Sequence, residues 1–590
     1  MRFKHLLTAF LFFIISVNLF SDNINSSGSV KYWIIFKDKG IYKPSDKITK
    51  GSETYILAMN TLKEKAIKRR LKVLTEENLV DFQDLPVYED YITDVKNLEI
   101  KIIAKSKWLN GISAYLTEND LKKVLELKCV SNLKILDKSI KQEFESISPV
   151  LPEYRFPTLI LYNDTITYKF NYGKSLPQLN QINVPLLHNM NITGKGVLIA
   201  SLDDGFEWKK HEALKNLNVL DEYDFINNDK NTEIEENSKY PDIQSQGGHG
   251  TATLSSACGF KEGKLLGPAF GSDIILAKTE YVASETPMEE DFWLEAAEWA
   301  EAYGADIITS SLIYKAFDNP YEMNSYEYKN YDGKTAITTL AAARASYLGI
   351  VVCNAVGNYF QLKVPTLGSP SDGDSIISVG AVNNKGDLAF FSSNGPTSDG
   401  RIKPDVCAQG VSVFVAVKKS TSNNESTYEY SDGTSFSTPI TAGSCALILS
   451  AHPELTPLQV RECLRNTASN SQNPDNLFGW GIINVFKAIT YWGITFSNLP
   501  EFVENDDNVM ISIWVASNKK IDKNSVKLYY NSNGNKFNTY QLEPEKIIDE
   551  NNSGRYIIKF KSTEFSKTNK LFFSAKDSGG IEKFYPGDLR

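Results

Sequence analysis

The sequence of 590 residues is poor in cysteine, histidine and long apolar runs, and it has no excess of positive charge. Its six cysteines form no CxxC pair and are too sparse for a disulfide-stapled scaffold, so we expect them to be buried as small hydrophobic residues. A net charge of −9 argues against a nucleic-acid-binding protein, which needs a basic face. With 36 glycines and 22 prolines the chain is not collagen-like, and its hydrophobic content of 42 % indicates a folded globular protein.

The one extended apolar run lies at the amino terminus. Basic side chains at Arg2 and Lys4 precede an almost wholly apolar stretch over 6–20, and the chain turns polar at Ser21. This pattern is typical of a secretory signal peptide, and the run is short for a membrane span of about 20 residues. We therefore expect a signal peptide over 1–21, no transmembrane segment in the mature chain, and a secreted or extracytoplasmic protein. A short signal anchor is the alternative.

The hydrophobic pattern divides the remainder into three units. From about 30 to 137 it predicts an α+β unit, in which Thr117 and Asp120 form a capping box and the basic run Lys68-Arg69-Arg70 is a solvated helix face. From about 172 to 488, short apolar runs alternate with helical patterns, which predicts an α/β unit with a parallel sheet flanked by helices on both faces. From about 496 the period drops to two, which predicts a small β-sandwich.

The middle unit contains two candidate catalytic residues, one at the end of a predicted strand and one in a glycine-rich stretch. Asp203 comes directly after an apolar strand, and the carboxyl ends of parallel strands face the crevice where such sheets bind ligands. His249 lies between two glycines at the start of a small-residue helix, and it is the only one of five histidines flanked in this way. Each residue alone has a structural explanation.

A serine and an asparagine complete the set of candidates. Ser435 precedes an apolar helical run, so free backbone N–H groups and the positive end of the helix dipole would surround it. Asn358 follows a buried strand, where its amide could donate a hydrogen bond into the crevice. The chain order Asp, His, Ser is one of the orders known for a catalytic triad.

Together these motifs resemble the subtilisin-like serine peptidases, the subtilase family. The resemblance rests on Leu202-Asp-Asp-Gly205, Gly248-His-Gly-Thr-Ala-Thr253 and Gly433-Thr-Ser-Phe-Ser-Thr-Pro439, with further matches across about 172–490. It implies a subtilisin-like parallel sheet and a secreted serine endopeptidase that acts through an acyl-enzyme intermediate. The N-terminal unit resembles, more loosely, the inhibitory propeptide of that family.

The resemblance also implies roles and boundaries. Asp203, His249 and Ser435 would form the triad, Asn358 would serve the oxyanion hole, and Ser310, Ser311 and Leu312 would bind the substrate as an added strand. The expected domains are 22–150 for a ferredoxin-like propeptide, 151–492 for the catalytic domain and 493–590 for the accessory β-sandwich, with the propeptide cut between about 138 and 171. Expected partners are protein or peptide substrates and the chain's own propeptide as intramolecular inhibitor. No metal is needed for the chemistry; structural calcium is possible, but no ligand set is assigned.

Three positions depart from the family pattern. Asp204 stands where the family usually has Ser or Thr, so either carboxylate could meet His249, although Asp203 is the aligned one. Ile313 replaces the usual Gly beside the pocket for the residue before the scissile bond, and its side chain either points away or narrows that pocket. Gln409 replaces a usual Pro, which we expect to be structural only.

Other functions remain as alternatives. The Asp-Asp-Gly order, with Glu207 and His211 after it, resembles the kexin/furin convertases, which would imply basic-site specificity, although their serine motif differs. A catalytically silent peptide-binding surface protein would lack a triad residue, and none is missing here. A carbohydrate- or surface-binding role of the β-sandwich is the third alternative.

Overall fold

The computed structural model describes residues 29–134, 167–361, 364–418, 426–505, 507–531, 537–566 and 570–586. The predicted signal peptide over 1–21 lies outside these residues, as does most of the stretch in which the propeptide cut is predicted. Within the described part of the chain, no helix combines the length and the apolar character needed to cross a bilayer.

The N-terminal unit is a four-stranded antiparallel sheet with helices after its first and third strands. The strand order across the sheet is Ile102–Ser106, Gly111–Leu116, Val30–Phe36 and Val130–Lys134. Its helices are Glu53–Met59, Glu64–Arg70, Glu89–Lys96 and Glu118–Glu126. The predicted capping box is present, since Thr117 Oγ1 accepts from the Asp120 N–H at 3.2 Å and Asp120 Oδ2 accepts from the Thr117 N–H at 3.0 Å. This is the ferredoxin-like arrangement that the pattern predicts.

The central unit is built on a seven-stranded, wholly parallel sheet. The strand order is Val406–Gln409, Ile377–Val382, Val351–Ala355, Ile307–Ser310, Leu198–Asp203, Asp273–Lys278 and Asn218–Asp224. The helices of this unit are Leu176–Asn180, Val184–Asn189, Gly248–Cys258, Met288–Tyr303, Ile337–Tyr347, Thr434–Ala451, Pro457–Thr467 and Val485–Thr490. An antiparallel ribbon of Val413–Val417 and Thr427–Ser431 lies beside it. The predicted parallel sheet is confirmed.

Alternate residues of this sheet face two different hydrophobic cores. In the strand Leu198–Asp203, Ile199 belongs to the core shared with Gly248–Cys258 and Thr434–Ala451, whereas Ala200 belongs to the core shared with Met288–Tyr303 and Ile337–Tyr347. Helices therefore cover both faces, as predicted. Trp33 of the N-terminal unit joins the second core, so that unit packs against this face of the molecule.

The C-terminal unit consists of two antiparallel sheets around one core, which confirms the predicted β-sandwich. One sheet contains Thr495–Phe496, Glu501–Glu504, Asn508–Ala516, Glu543–Ile547 and Gly554–Lys561; the other contains Lys527–Tyr530, Asn538–Gln541, Leu571–Lys576 and Glu582–Tyr585. Side chains of both sheets, such as Ile511 and Phe573, are fully buried in the shared core.

The basic run in the N-terminal unit is not the solvated helix face that its charge pattern predicted. Lys68 is 71 % exposed, but the side chains of Arg69 and Arg70 are 1 % and 0 % exposed. Both arginines pair with Glu301 of the central unit, and Arg70 also pairs with Asp84 at 2.7 Å. The prediction was wrong because a local charge pattern carries no information about acidic partners more than 200 residues away, here 231.

The cysteines are where the composition predicted. All six are buried and free of disulfides. They therefore act as small hydrophobic residues, in agreement with the sequence-based expectation.

Candidate active site

Asp203 is the last residue of the strand Leu198–Asp203, and its carboxylate is almost fully buried. Its Oδ1 lies 2.7 Å from Nδ1 of His249 and also accepts the Asp204 N–H at 2.8 Å. Its Oδ2 accepts the Thr253 hydroxyl at 2.8 Å. With both oxygens bonded, the carboxylate has a fixed orientation toward the imidazole.

His249 is the second residue of the helix Gly248–Cys258, which begins at a left-handed Gly247 with φ of 73°. Gly250 must be glycine because a Cβ there would overlap the Gly205 carbonyl oxygen. This close approach lets the first helical turn lie directly against the end of the strand that carries Asp203. The imidazole is 37 % exposed, so one ring edge faces Asp203 while another part reaches the solvent side.

Asp204 binds the backbone of the helix that carries His249, whereas Asp203 binds its imidazole. Its Oδ1 accepts the Gly250 N–H at 2.7 Å and its Oδ2 accepts the His249 N–H at 3.3 Å, so it holds the helix N-terminus. The imidazole thus bonds to Asp203 rather than to Asp204. Burial, together with the nearby Asp203 carboxylate, raises the pKa of Asp204 to about 7.

The charge around the imidazole favours its protonated form. Burial acts to lower the pKa of His249, but the carboxylate of Asp203, followed by Asp204 and Glu280, outweighs burial and raises the pKa to about 9. The imidazole is consequently a strong proton acceptor once it is neutral.

Ser435 is the second residue of the helix Thr434–Ala451, and it is 7 % exposed. Its N–H is one of the first-turn donors that an α-helix leaves without an intrahelical acceptor. Its carbonyl oxygen accepts the Ser311 hydroxyl at 2.8 Å, and the ring of the next residue, Phe436, lies 6.2 Å from the His249 ring centre. These contacts bring the serine to the same edge of the sheet as Asp203 and His249.

Asn358 lies directly beside the start of the serine helix. Its Oδ1 accepts both the Thr434 N–H and the Thr434 hydroxyl at 2.9 Å. Because the amide oxygen is fully engaged by Thr434, the amide nitrogen is the group left to donate into the cleft.

A cleft of about 550 Å³ lies beside these groups, and Thr434, the residue before Ser435, is part of its lining. His249, Asn358, Ser311, Leu312 and Ile313 all line it. Ser310, the third residue proposed for substrate binding, turns its side chain away, since its buried hydroxyl accepts the Trp293 indole N–H at 2.9 Å.

The cleft also has an acidic wall that the motif analysis missed. Asp204, Glu280 and Glu285 line it beside His249. Burial raises the pKa of Glu285 to about 7 and that of Glu280 well above its usual value. Scattered glutamates in a strand-to-helix segment gave no sequence signal, because only the fold brings them to the cleft.

Thr253 and Thr434 are further residues that the sequence analysis gave no role. Thr253 lies four residues after His249 on one helix face, and this i, i+4 spacing was a usable signal for a second contact to the same carboxylate. No local sequence pattern pointed to a role for Thr434, because its partner Asn358 is 76 residues away.

Among the described residues, three groups of carboxylates or histidine are close enough to hold a metal ion. In the group of Asp224, Asp229 and Glu235, the Lys278 ammonium already pairs with Asp224 at 2.8 Å. The other groups are Asp203 and Asp204 with His249, and Glu280 and Glu285 with Glu289. We assign calcium to none of them.

The geometry supports covalent acyl transfer: His249, which is bonded to the buried Asp203, and the amide donor Asn358 line one cleft, and Ser435 lies at the helix N-terminus beside it. Comparisons with known proteins agree. The family described as "Subtilase family" matches residues 194–481, and "Peptidase S8 propeptide domain, Bacteroidota" matches residues 31–148.

Individual proteins with similar sequences also include subtilisins and a serine protease. Subtilisin E of Bacillus subtilis (strain 168) is 34 % identical over 323 residues, covering 54 % of this chain and 72 % of that protein. Subtilisin of Bacillus pumilus is 34 % identical over 322 residues, covering 54 % and 99 %. Serine protease AprX of Bacillus subtilis (strain 168) is 28 % identical over 318 residues, covering 51 % and 68 %.

Proposed function

The chain belongs to the subtilase family of serine peptidases, and from this premise we propose a secreted endopeptidase, made as a self-processed zymogen, whose triad is Asp203, His249 and Ser435. The observation that carries the assignment is the 2.7 Å contact between Asp203 Oδ1 and His249 Nδ1, in the cleft that Asn358 also lines. A buried carboxylate on the inner ring nitrogen is what a general base needs for its orientation.

The proposed reaction begins at the serine hydroxyl. Ser435 Oγ attacks the scissile carbonyl while Nε2 of His249 takes its proton, and Asp203 stabilises the imidazolium that forms. The imidazolium then protonates the leaving amine, which departs and leaves an acyl-enzyme on Ser435. Water, activated by the same imidazole, releases the acid product and restores the serine.

The negative charge that develops on the carbonyl oxygen needs donors that are already in place. Two donors are proposed, the Asn358 amide and the Ser435 backbone N–H. The support is that Thr434 fixes the amide oxygen of Asn358, so the amide needs no reorganisation as charge develops.

We further propose the chain organisation as a zymogen: signal peptide 1–21, propeptide 22–150, catalytic domain 151–492 and accessory β-sandwich 493–590. The propeptide match over 31–148 supports an intramolecular inhibitor. So does the contact of this unit with the catalytic unit, for example Lys31 with the buried Asp291 at 2.6 Å. Export follows in this proposal from the signal-like amino terminus, which places the enzyme outside the cytoplasm.

No metal takes part in this proposed chemistry, because proton transfer and charge stabilisation are both supplied by side chains and backbone. Structural calcium stays a possibility without assigned ligands.

A second candidate is cleavage at basic sites, and the acidic wall of the cleft favours it. Glu280 and Glu285 lie beside His249, and burial raises the pKa of both. A substrate Lys or Arg entering there would stabilise the ionised carboxylates by charge pairing. In peptides that carry Lys at successive positions near the scissile bond, Glu285→Gln should then reduce the preference for Lys, whereas the remote exposed Glu327→Gln should not.

The intact mass of purified residues 22–590 tests the main proposal, beside the same protein with Ser435→Ala. We expect the parent to lose its amino-terminal segment at a cut between about 138 and 171, and to be labelled at Ser435 by a fluorophosphonate. The alanine variant should stay whole and unlabelled.

Ser437→Ala is the matched control, because this serine lies on the same helix and its hydroxyl donates to the Thr434 carbonyl. It should process as the parent does. A folded parent that stays whole and unlabelled would overturn the proposal in favour of a silent peptide-binding protein, and a labelled parent that stays whole would overturn only self-processing.

A further inference from the structure

The segment after the strand Ile307–Ser310 runs antiparallel to the loop that contains Gly368. The Tyr314 N–H donates to the Ser369 carbonyl at 2.9 Å, and the Ser369 N–H donates back to the Tyr314 carbonyl at 3.3 Å. In this antiparallel register Ile313 lies opposite Pro370 and Lys315 lies opposite Gly368, so Ile313 and Gly368 are diagonal neighbours.

The Ile313 side chain fills the space above Gly368. A Cβ added to Gly368 would lie 2.5 Å from Cγ2 of Ile313, with the Tyr314 carbonyl oxygen next at 3.5 Å. Ile313 is half-buried and lines the cleft, whereas Gly368 is buried and is not part of the lining. The isoleucine therefore covers the glycine, and its side chain forms the wall of the cleft at this point.

This wall lies next to the bond that the proposed chemistry would break. Ser311 donates to the Ser435 carbonyl at 2.8 Å, and Asn358 is bonded to Thr434, so the segments 311–313 and 355–358 both contact the start of the serine helix and line the same cleft. The carbonyl under attack must lie between Ser435 and Asn358. The side chain of the residue that bears this carbonyl must then enter the recess between the two segments, toward Ile313.

We propose that Ile313 closes this recess and restricts the residue on the acyl side of the scissile bond to small side chains such as Ala or Ser. This inference rests on the proposed function. A Phe or Leu side chain would have to occupy the volume of the isoleucine, and close-packed walls resist added methylenes. The wall segment is held by its hydrogen bonds at Ser311 and Tyr314, so it cannot simply move aside.

The test measures kcat/KM for peptides that differ only in the residue before the scissile bond, Ala, Val, Leu or Phe. The parent should prefer Ala over Phe by about 10–100-fold, the range over which hydrophobic pockets discriminate by size. Ile313→Gly should raise kcat/KM for Phe about 10-fold or more, with little change for Ala. Ile313→Val should fall between the two and serves if the glycine variant fails to fold.

A second substitution closes the recess again. In the Ile313→Gly background, Gly368→Ala places a new methyl close to the vacated position of Cγ2, so it should return much of the selectivity for Ala. Val503→Ala is the control, since Val503 is exposed on a strand of the C-terminal unit outside the cleft, and the Phe-to-Ala ratio should not change.

The outcomes separate this inference from the function on which it rests. A parent that cleaves every peptide but prefers Phe or Leu overturns the role of Ile313, and so does an unchanged ratio in both Ile313→Gly and Ile313→Val. A folded parent that cleaves none of the peptides and is not acylated at Ser435 overturns the proposed function itself.

Discussion

Asp203 and Asp204 are neighbours in the chain, yet their carboxylates bind different groups. The first bonds to the imidazole of His249, and the second bonds to two backbone N–H groups at the start of the helix that carries it. Asp203 is the last residue of its strand and Asp204 lies in the bend that follows, so the two carboxylates reach different groups of the same helix. Asp204 therefore acts on His249 in two ways, by holding its helix and by its negative charge.

Asp204→Asn should move the acid limb of the pH profile of kcat/KM to lower pH. Only the neutral imidazole can accept the serine proton, so activity rises as the pH passes the pKa of His249. That pKa is raised to about 9, in part by the Asp204 charge, and asparagine removes the charge while keeping an oxygen for the Gly250 N–H. Initial rates at low substrate concentration from pH 5 to 11 measure the shift.

The remote, exposed Asp387→Asn is the control for this profile, and its acid limb should coincide with that of the parent. An acid limb of Asp204→Asn that stays in place or moves to higher pH would show that Asp204 does not charge-couple to His249.

Asn358→Ala should lower kcat by about 10²–10³ with a smaller effect on KM, because an oxyanion donor acts mainly in the transition state. Thr434→Val, which removes the hydroxyl donor to the amide oxygen of Asn358 but keeps the backbone N–H donor, should cause a smaller loss in kcat. Steady-state kinetics on one peptide substrate measures both. If Asn358→Ala instead raises KM and leaves kcat unchanged, the amide acts in ground-state binding of the substrate.

At the scale of elements, the helix Met288–Tyr303 is the contact surface for the N-terminal unit. Asp291, Glu295, Glu298 and Glu301 recur every three or four residues and so share one face of the helix. Lys31 pairs with Asp291, and backbone N–H groups of 105, 107 and 108 donate to Glu295 and Glu298. An acidic helix stripe is normally solvated, but here it binds the basic groups of the N-terminal unit.

Arg70→Met should destabilise the uncleaved Ser435→Ala precursor by about 3 kcal/mol, because it removes the cation that bridges two buried carboxylates and leaves Glu301 with Arg69 alone and Asp84 with Arg344 at 3.6 Å. The Arg70 side chain is 0 % exposed and pairs with Glu301 at 2.8 Å and Asp84 at 2.7 Å. Denaturant unfolding of the precursor, followed by tryptophan fluorescence, measures the loss.

Lys68→Met tests the same helix at an exposed site. Lys68 is 71 % exposed and pairs only with the equally exposed Glu64 within its helix. Its loss should leave the stability nearly unchanged. Equal effects of the two substitutions would contradict the interface network as the source of stability.

At the scale of the whole molecule, the C-terminal unit shares a core with the catalytic unit. In the strand Asn508–Ala516, Ile513 and Val515 face the core of the sandwich, whereas Trp514 and Ala516 belong to the core of the catalytic unit. His452 Nε2 also lies 2.9 Å from the Thr495 hydroxyl at the junction. Alternate side chains of this strand therefore pack into two different hydrophobic cores.

Trp514→Ala should lower the free energy of unfolding by about 3–5 kcal/mol and separate the unfolding of the C-terminal unit from that of the catalytic unit. Trp514 is 7 % exposed, whereas Trp492 at the same junction is 38 % exposed. Trp492→Ala should therefore cost less and keep one transition. Calorimetry of the Ser435→Ala precursor follows both, and a single unshifted transition in Trp514→Ala would refute the shared core.

The sequence by itself determined the order and type of the elements and the identity of the triad candidates. Period-two and period-3.6 patterns are local, and so are the glycines around His249 and the capping box at Thr117, so each can be recognised from neighbours in the chain. The parallel sheet also followed, because buried strands alternating with helices have few other ways to pack.

Only the tertiary structure decided which groups meet across the chain. The burial of Arg69 and Arg70, the acidic wall of the cleft and the direction of the Ile313 side chain all depend on segments tens to hundreds of residues apart. The family pattern favoured Asp203 as the partner of His249, but only the structure assigned Asp204 to the backbone N–H groups of the helix. The free energy of a buried charge or a packed side chain depends on the groups around it, and those groups come together only when the chain folds.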